Sequence, residues 1–192
     1  MNVLVFAPHP DDDVIGCGGV IAKHKKIDDF VTVVYLTSGG LTDDPAIREQ
    51  EAINAEKILG ADKLKFLKWK DHEVYPTTEN RSKIIDVLKE FNPRLIYCPS
   101  PQEQHQDHVA TFKLVSRAVN THLYLYEVYP GIFPIETDDY EDITDVLGLK
   151  VAALKEFKSQ GCNLSEAYRC HARFRGIMSG VGDFCEVFKK HV

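Results

Sequence analysis

"NVLVFAPHPDDDVIGCGGVIAKH", residues 2–24, changes physical character twice. Its first six residues are an apolar, largely β-branched run of strand length. Its last eleven read as a helix. Between them stand His9 and three consecutive aspartates, Asp11, Asp12 and Asp13. Like charges side by side are costly unless a positive charge offsets them. The N-terminus of the following helix supplies part of that charge. A strand that delivers carboxylates to the mouth of a helix is the opening half of a βαβ unit.

The same alternation continues downstream. Apolar runs recur at 31–37 (VTVVYLT), 63–69 (KLKFLKW), 94–99 (RLIYCP) and 122–129 (HLYLYEVY). Segments of helical period separate them. In 46–60, Ile47, Ala52, Ala55, Ile58 and Leu59 share a face and Gly60 ends the helix. In 79–93, Ile84, Ile85, Leu88 and Phe91 do the same ahead of Pro93. Strands alternating with helices predict a single Rossmann-like α/β domain over residues 1–192, its mostly parallel sheet covered by helices on both faces. The acidic stretch 134–145 (PIETDDYEDITD) is expected to be a surface loop leading into a last helix capped by Thr144 or Asp145.

Composition narrows the function. The formal charge of −6 argues against nucleic acid or an anionic membrane surface as the main partner. No apolar run approaches the ~18 residues of a membrane span, and no basic leader precedes residues 2–7. Five cysteines without a C-x-x-C pair suit reduced thiols in the cytoplasm. The chain is free to act alone or as a homo-oligomer.

In open α/β sheets, ligands bind beyond the carboxyl ends of the strands. The segments that follow the first four strands are PHPDDD, TSGGLTDD, KDHE and SPQEQHQDH, so every conspicuous His/Asp cluster falls on one rim. His9 and Asp12 are three residues apart, as are His105 and His108, with Asp107 between. Two histidines and a carboxylate with an open position form a common catalytic zinc shell, and also a non-haem ferrous one. A divalent cation is thus the expected counter-charge. The simpler alternative, an acidic helix cap, accounts for the aspartates alone and leaves the second cluster unexplained. Gly16, Gly18 and Gly19 come too late after the strand for a dinucleotide loop, and an aspartate run repels pyrophosphate.

With APHPDD after the first strand and HQDH after the fourth, the chain resembles the LmbE-like (PIG-L) zinc-dependent N-acetyl-sugar deacetylases. LTSGG (36–40), REQEAINAEKILGA (48–61), LKWKD (67–71), AALKEFKSQ (152–160) and DFCEVFK (183–189) extend the likeness over almost the whole chain. The resemblance implies zinc, or another divalent ion such as Fe2+, held by His9, Asp12 and His108. It implies Asp11 as general base, His105 as oxyanion partner and acid for the leaving amine, and Asp107 as the group that orients and charges His105. Arg48 and Asp71 would reach an N-acetylated sugar substrate. Hydrolysis of another small amide, or non-catalytic binding of a sugar or metal, are the competing readings. A pure binder needs neither the spare carboxylate of Asp11 nor the second histidine.

The remaining polar residues read as structural. His24, His72, His122 and His191 lack partner spacing, although His72 follows Asp71 on the rim. Cys17 and the Cys170–His171 pair are expected to pack rather than ligate. Trp69, the single tryptophan, reads as a strand-end core aromatic, with sugar stacking as the alternative.

Overall fold

The strands and helices alternate in the predicted order: β1 (Asn2–Ala7), α1 (Asp12–Lys26), β2 (Phe30–Thr37), α2 (Pro45–Leu59), β3 (Lys63–Trp69), α3 (Thr78–Phe91), β4 (Leu95–Pro99), α4 (Gln106–Ser116) and β5 (His122–Tyr126). Then come β6 (Asp139–Asp142), α5 (Leu147–Leu154), a 3-10 turn (Lys158–Gln160), α6 (Leu164–Ser179) and β7 (Cys185–His191). This computed structural model describes residues 1–40, 44–129, 137, 139–161 and 163–191.

One seven-stranded sheet runs β3-β2-β1-β4-β5-β7-β6. The first five strands are parallel, and β7 pairs antiparallel to both β5 and β6. Alternation along each strand divides the core. Val3, Val5 and Ala7 of β1, with Val31, Val33 and Tyr35 of β2, pack with α1, α2, α5 and α6. Leu4, Phe6, Val34 and Leu36 point the other way, toward Ile84 and Val87 of α3 and Ala110 and Leu114 of α4. Chain crossovers from the central pair β1 and β4 therefore leave to opposite faces. This is the switch point of the sheet, where a crevice opens beyond the strand ends.

Helix ends follow the sequence signals. Gly60 and Asn92 take left-handed conformations after α2 and α3. Within α2 the buried stripe is Arg48, Glu51, Ala52, Ala55, Glu56 and Leu59, which leaves Ile47 exposed, contrary to expectation. The acidic stretch also departs from the reading. Asp139–Asp142 is an edge strand, and α5 begins after Val146, with no side-chain cap from Thr144 or Asp145. The unpaired edge of β7 takes a partner there, and the acidic side chains keep the new edge from pairing further.

The glycines of α1 serve packing. A Cβ at Gly16 would lie 2.2 Å from the Tyr126 ring, and one at Gly19 would lie 2.4 Å from Ile143. Close approach also lets the buried Glu186 of β7 accept from the N–H groups of Gly19 (2.7 Å) and Val20 (2.9 Å). Lys150 of α5 completes this junction, donating to Glu186 at 2.6 Å and to the Ile15 carbonyl at 2.7 Å. Cys17, Cys98 and Cys185 are buried free thiols and Cys170 is an exposed one. Cys162 lies outside the described residues. Among the described residues no helix is long and apolar enough to cross a membrane.

Candidate active site

The loops after β1 and β4 meet at the switch point and bring the two sequence clusters together. His9 Nδ1 lies 3.1 Å from Asp12 Oδ2, and His108 Nε2 lies 3.2 Å from the same oxygen. The two ring nitrogens are 3.4 Å apart. Tetrahedral donors with bonds of ~2.0–2.2 Å stand about 3.3–3.6 Å from one another. The three expected ligands form a triangle with sides of 3.1–3.4 Å, close to that spacing and slightly tighter. The backbone N–H of His9 donates to Asp12 Oδ2 at 2.8 Å, so the loop's own turn fixes that carboxylate. His105 also brings a ring nitrogen near those of His9 and His108, and His9, Asp71 and Asp107 form a second cluster.

Electrostatics agree with a cationic centre. Burial opposes charge on Asp12, but the His108 and His9 imidazoles hold its carboxyl well below the usual range. Burial likewise opposes protonation of both histidines. Even so, Asp107, Asp12 and Asp71 raise His9, and Asp12 raises His108 to about 9. These carboxylates draw positive charge into a buried place, and a divalent cation would serve the same need. Among the described residues, His108 Nδ1 is buried without a hydrogen-bond partner and has Glu103 Oε2 at 3.8 Å.

Each of the three aspartates has its own surroundings. Asp13 accepts from the Tyr35 hydroxyl at 2.7 Å and is buried beside Glu56. Burial pushes both of those carboxyls up, with mutual repulsion raising Glu56 further. Asp11 stands at the start of α1 with φ 130° and ψ −29°, a conformation that L side chains rarely adopt. Arg48 Nη2 donates to Asp11 Oδ2 at 3.1 Å and also to the Pro10 carbonyl. Burial and the adjacent Asp12 charge nevertheless push Asp11 up to about 7, against the pull of Arg48 and His9.

Asp107 and His105 have different surroundings. The Asp107 carboxylate faces His9, whose Nε2 is 3.2 Å away, and it accepts from the backbone N–H groups of His72 (2.8 Å) and Val74 (3.3 Å). A carboxylate on the far nitrogen of a would-be ligand is the usual means of fixing its ring. His105 is instead held by a backbone donor, the Asp107 N–H, which reaches its Nδ1 at 3.2 Å. Burial together with His9 and His108 lowers His105 to about 4, outweighing Asp107. A ring held below its ordinary value, with Nδ1 accepting from a backbone N–H, is arranged to donate a hydrogen bond from Nε2.

A cavity of about 210 Å³ opens over these groups, with His9, Asp11, Asp12, Arg48, Asp71 and His105 in its wall. Among the described residues, Arg48 Nη1 is buried there without a hydrogen-bond partner. Asp71 Oδ1 is 3.1 Å from His9 Nε2 and also lines the cavity. Sequence reasoning passed over Tyr129 and Gln160, which line the same space. The Tyr129 ring stacks on His108 at 5.6 Å and 10°. Glu103 anchors the Tyr129 segment by accepting from the Val128 N–H at 2.7 Å. Gln160 belongs to the quoted AALKEFKSQ segment. Its neighbour Ser159 ties that turn to Glu51 of α2 through bonds of 2.8 and 2.6 Å. His72, at φ 60°, packs edge-on to His105 with centroids 4.6 Å apart.

The profile of one family, GlcNAc-PI de-N-acetylase (PIG-L), matches residues 4–119. A diacetylchitobiose deacetylase of Thermococcus kodakarensis is 33% identical over 93% of this chain and 79% of its own. The conserved protein TT1542 of Thermus thermophilus superposes with a TM-score of 0.90 at 29% identity, covering 99% of this chain and 94% of its own. GalB, a 4-carboxy-2-hydroxymuconate hydratase of Pseudomonas putida, gives a TM-score of 0.89 at 23% identity over 100% and 96% of the two chains. At that identity it shows the shared fold alone.

Proposed function

Because the chain belongs to the PIG-L family of GlcNAc-PI de-N-acetylases, we propose that it is a zinc-dependent, cytoplasmic hydrolase that removes acetyl from an N-acetylglucosamine-like sugar or conjugate. The deacetylase activity itself follows from the family and its relatives. The single observation that supports the metal is the triangle of His9 Nδ1, Asp12 Oδ2 and His108 Nε2, with sides of 3.1–3.4 Å. A divalent cation held there supplies Lewis acidity for the acetyl carbonyl and makes attacking water acidic enough to react near neutral pH.

The chain's own residues do the rest. Asp11, with its carboxyl near 7, takes the proton of the attacking water. The same value lets it return that proton to the departing amine. Neutral His105, its Nδ1 occupied by the Asp107 N–H, offers its Nε2–H to the developing oxyanion. Asp107 fixes the His9 ring from behind. Arg48 orients Asp11 through Nη2, and its Nη1, without a partner among the described residues, would reach a substrate oxygen. The buried free thiols fit a reducing compartment.

Acetate and free amine are to be measured on a panel of N-acetylated sugars and non-sugar amides, with metal-loaded protein. Equimolar acetate and amine from the sugars alone is the expected result. Release only from the other amides would move the enzyme to a different substrate class, and release from none would favour a binding protein.

A further inference from the structure

In a helix, the N–H of residue 19 answers the carbonyl of residue 15. That rung of α1 is bridged by side chains from two other elements. Glu186 Oε1, on β7, accepts from the Gly19 N–H at 2.7 Å and from Lys150 Nζ, on α5, at 2.6 Å. Lys150 Nζ donates onward to the Ile15 carbonyl at 2.7 Å. Glu186 Oε2 takes the next donor, the Val20 N–H, at 2.9 Å. Both side chains are buried. A Cβ at Gly18 would stand 3.2 Å from Lys150 Cγ, so the glycine leaves the lysine its path to the backbone.

Electrically, the bridge divides α1 into two pieces, 12–18 and 19–26. An ammonium meets the carbonyl end of the first and a carboxylate meets the N–H end of the second, the charges that helix ends favour. The first piece carries the site. The Ile15 N–H donates to the Asp11 carbonyl at 2.9 Å, where Asp11 holds φ 130°. A backbone of that kind persists only where its surroundings over-determine it. The adjacent Asp12 presents Oδ2 to His9 and His108 at 3.1 and 3.2 Å. Neither Lys150 nor Glu186 is among the described residues that line the catalytic cavity. A buried ion pair is often no more stable than apolar residues of its size. What this pair adds is direction, because its charged groups address particular backbone atoms of α1.

We propose that Lys150 and Glu186 are positioning residues for the metal shell: clamped on the backbone of α1, they set where its first turn stands and so where Asp12 meets His9 and His108. The proposal rests on reading those three residues as the metal ligands.

Zn2+ affinity is to be measured on apo protein by competition with a chromophoric chelator. Co2+ is added in a separate series, because its visible absorption follows coordination geometry. The comparison takes wild type, Lys150→Met, Lys150→Met/Glu186→Met, and Val87→Ala, a core variant on the opposite face of the sheet. Val87→Ala should lower the apo Tm and keep the wild-type affinity and spectrum. Lys150→Met leaves Glu186 buried without its counter-charge and should lower the Tm. Its Zn2+ affinity should fall by about tenfold or more. The double variant removes both charges and should recover most of the Tm. Its affinity should stay about tenfold down, with the Co2+ spectrum still altered. Wild-type affinity in either of these two variants overturns the proposal, as does an equal loss in Val87→Ala. Failure of both to fold overturns it too, since the pair would then be a requirement of the fold itself. Wild-type protein that binds no Zn2+ overturns the metal reading, and the proposal with it.

Discussion

The N–H of Asp107 donates to Nδ1 of His105 at 3.2 Å, which places the ring proton of neutral His105 on Nε2. A residue one turn from a would-be ligand is thereby oriented as a hydrogen-bond donor. His105→Gln retains a donor and does not ionise. It should keep more activity than His105→Ala, for which a loss of ~10²–10³ in kcat is typical of a missing oxyanion donor. Both variants should keep the wild-type pH profile and metal content. Equal losses, with a displaced basic limb, would restore His105 as the acid.

The Asp11 carboxylate must be ionised to act as base, so activity is present above its pKa and lost as pH falls through it. Burial and Asp12 bring that value to about 7, and a cation nearby would draw it down. The acid limb of kcat/KM is therefore expected at or below pH 7 and above the ordinary carboxylate value of ~4. Asp11→Asn should lower kcat by ~10²–10⁴ with metal retained and the limb gone. Activity within about threefold of wild type, far short of that range, would require another base.

Metal affinity separates ligands from their supports. His108→Ala should lose most bound metal on dialysis. Asp107→Asn, which weakens the hold on His9 Nε2, should lower affinity by ~10–100-fold in competition with a chelator. If His108→Ala keeps one metal per chain, His105 replaces it in the shell, since His9, His105 and His108 also cluster.

Gly16→Ala tests the packing of α1. In an open helix the change would stabilise by up to about 1 kcal/mol. The new Cβ would lie 2.2 Å from the Tyr126 ring, and Tyr126 is fully buried with its hydroxyl bonded to the Phe6 carbonyl. A net loss of ~1–3 kcal/mol is expected from denaturant midpoints. A gain in stability would show that the ring can move aside.

Five parallel strands and the two motifs at their ends were legible because period and composition carry that information directly. β6 was not, since DYED has no strand composition and pairs only because β7 presents an edge. Ile47 was placed on the buried face of α2 because apolarity was read as burial. The interior there instead takes Arg48 and Glu51 for their polar contacts. Adjacency in HQDH suggested that Asp107 charges His105, and its charge does raise that ring. The hydrogen bonds of its carboxylate with His9, His72 and Val74 were not legible, because a helix start sends neighbouring side chains in different directions. Tyr129 and Gln160 carry no motif of their own, and only tertiary structure brings them to His9.

The His9 and His108 rings touch across 99 positions of chain, one beyond β1 and the other beyond β4. Neither half of that shell has meaning until the two central strands lie side by side. A cation that binds there therefore joins the molecule after the long-range pairing that limits the folding rate. It should slow unfolding in proportion to its concentration over Kd while leaving refolding almost unchanged. Resistance to proteolysis under native conditions would then follow the supply of metal in the surrounding medium.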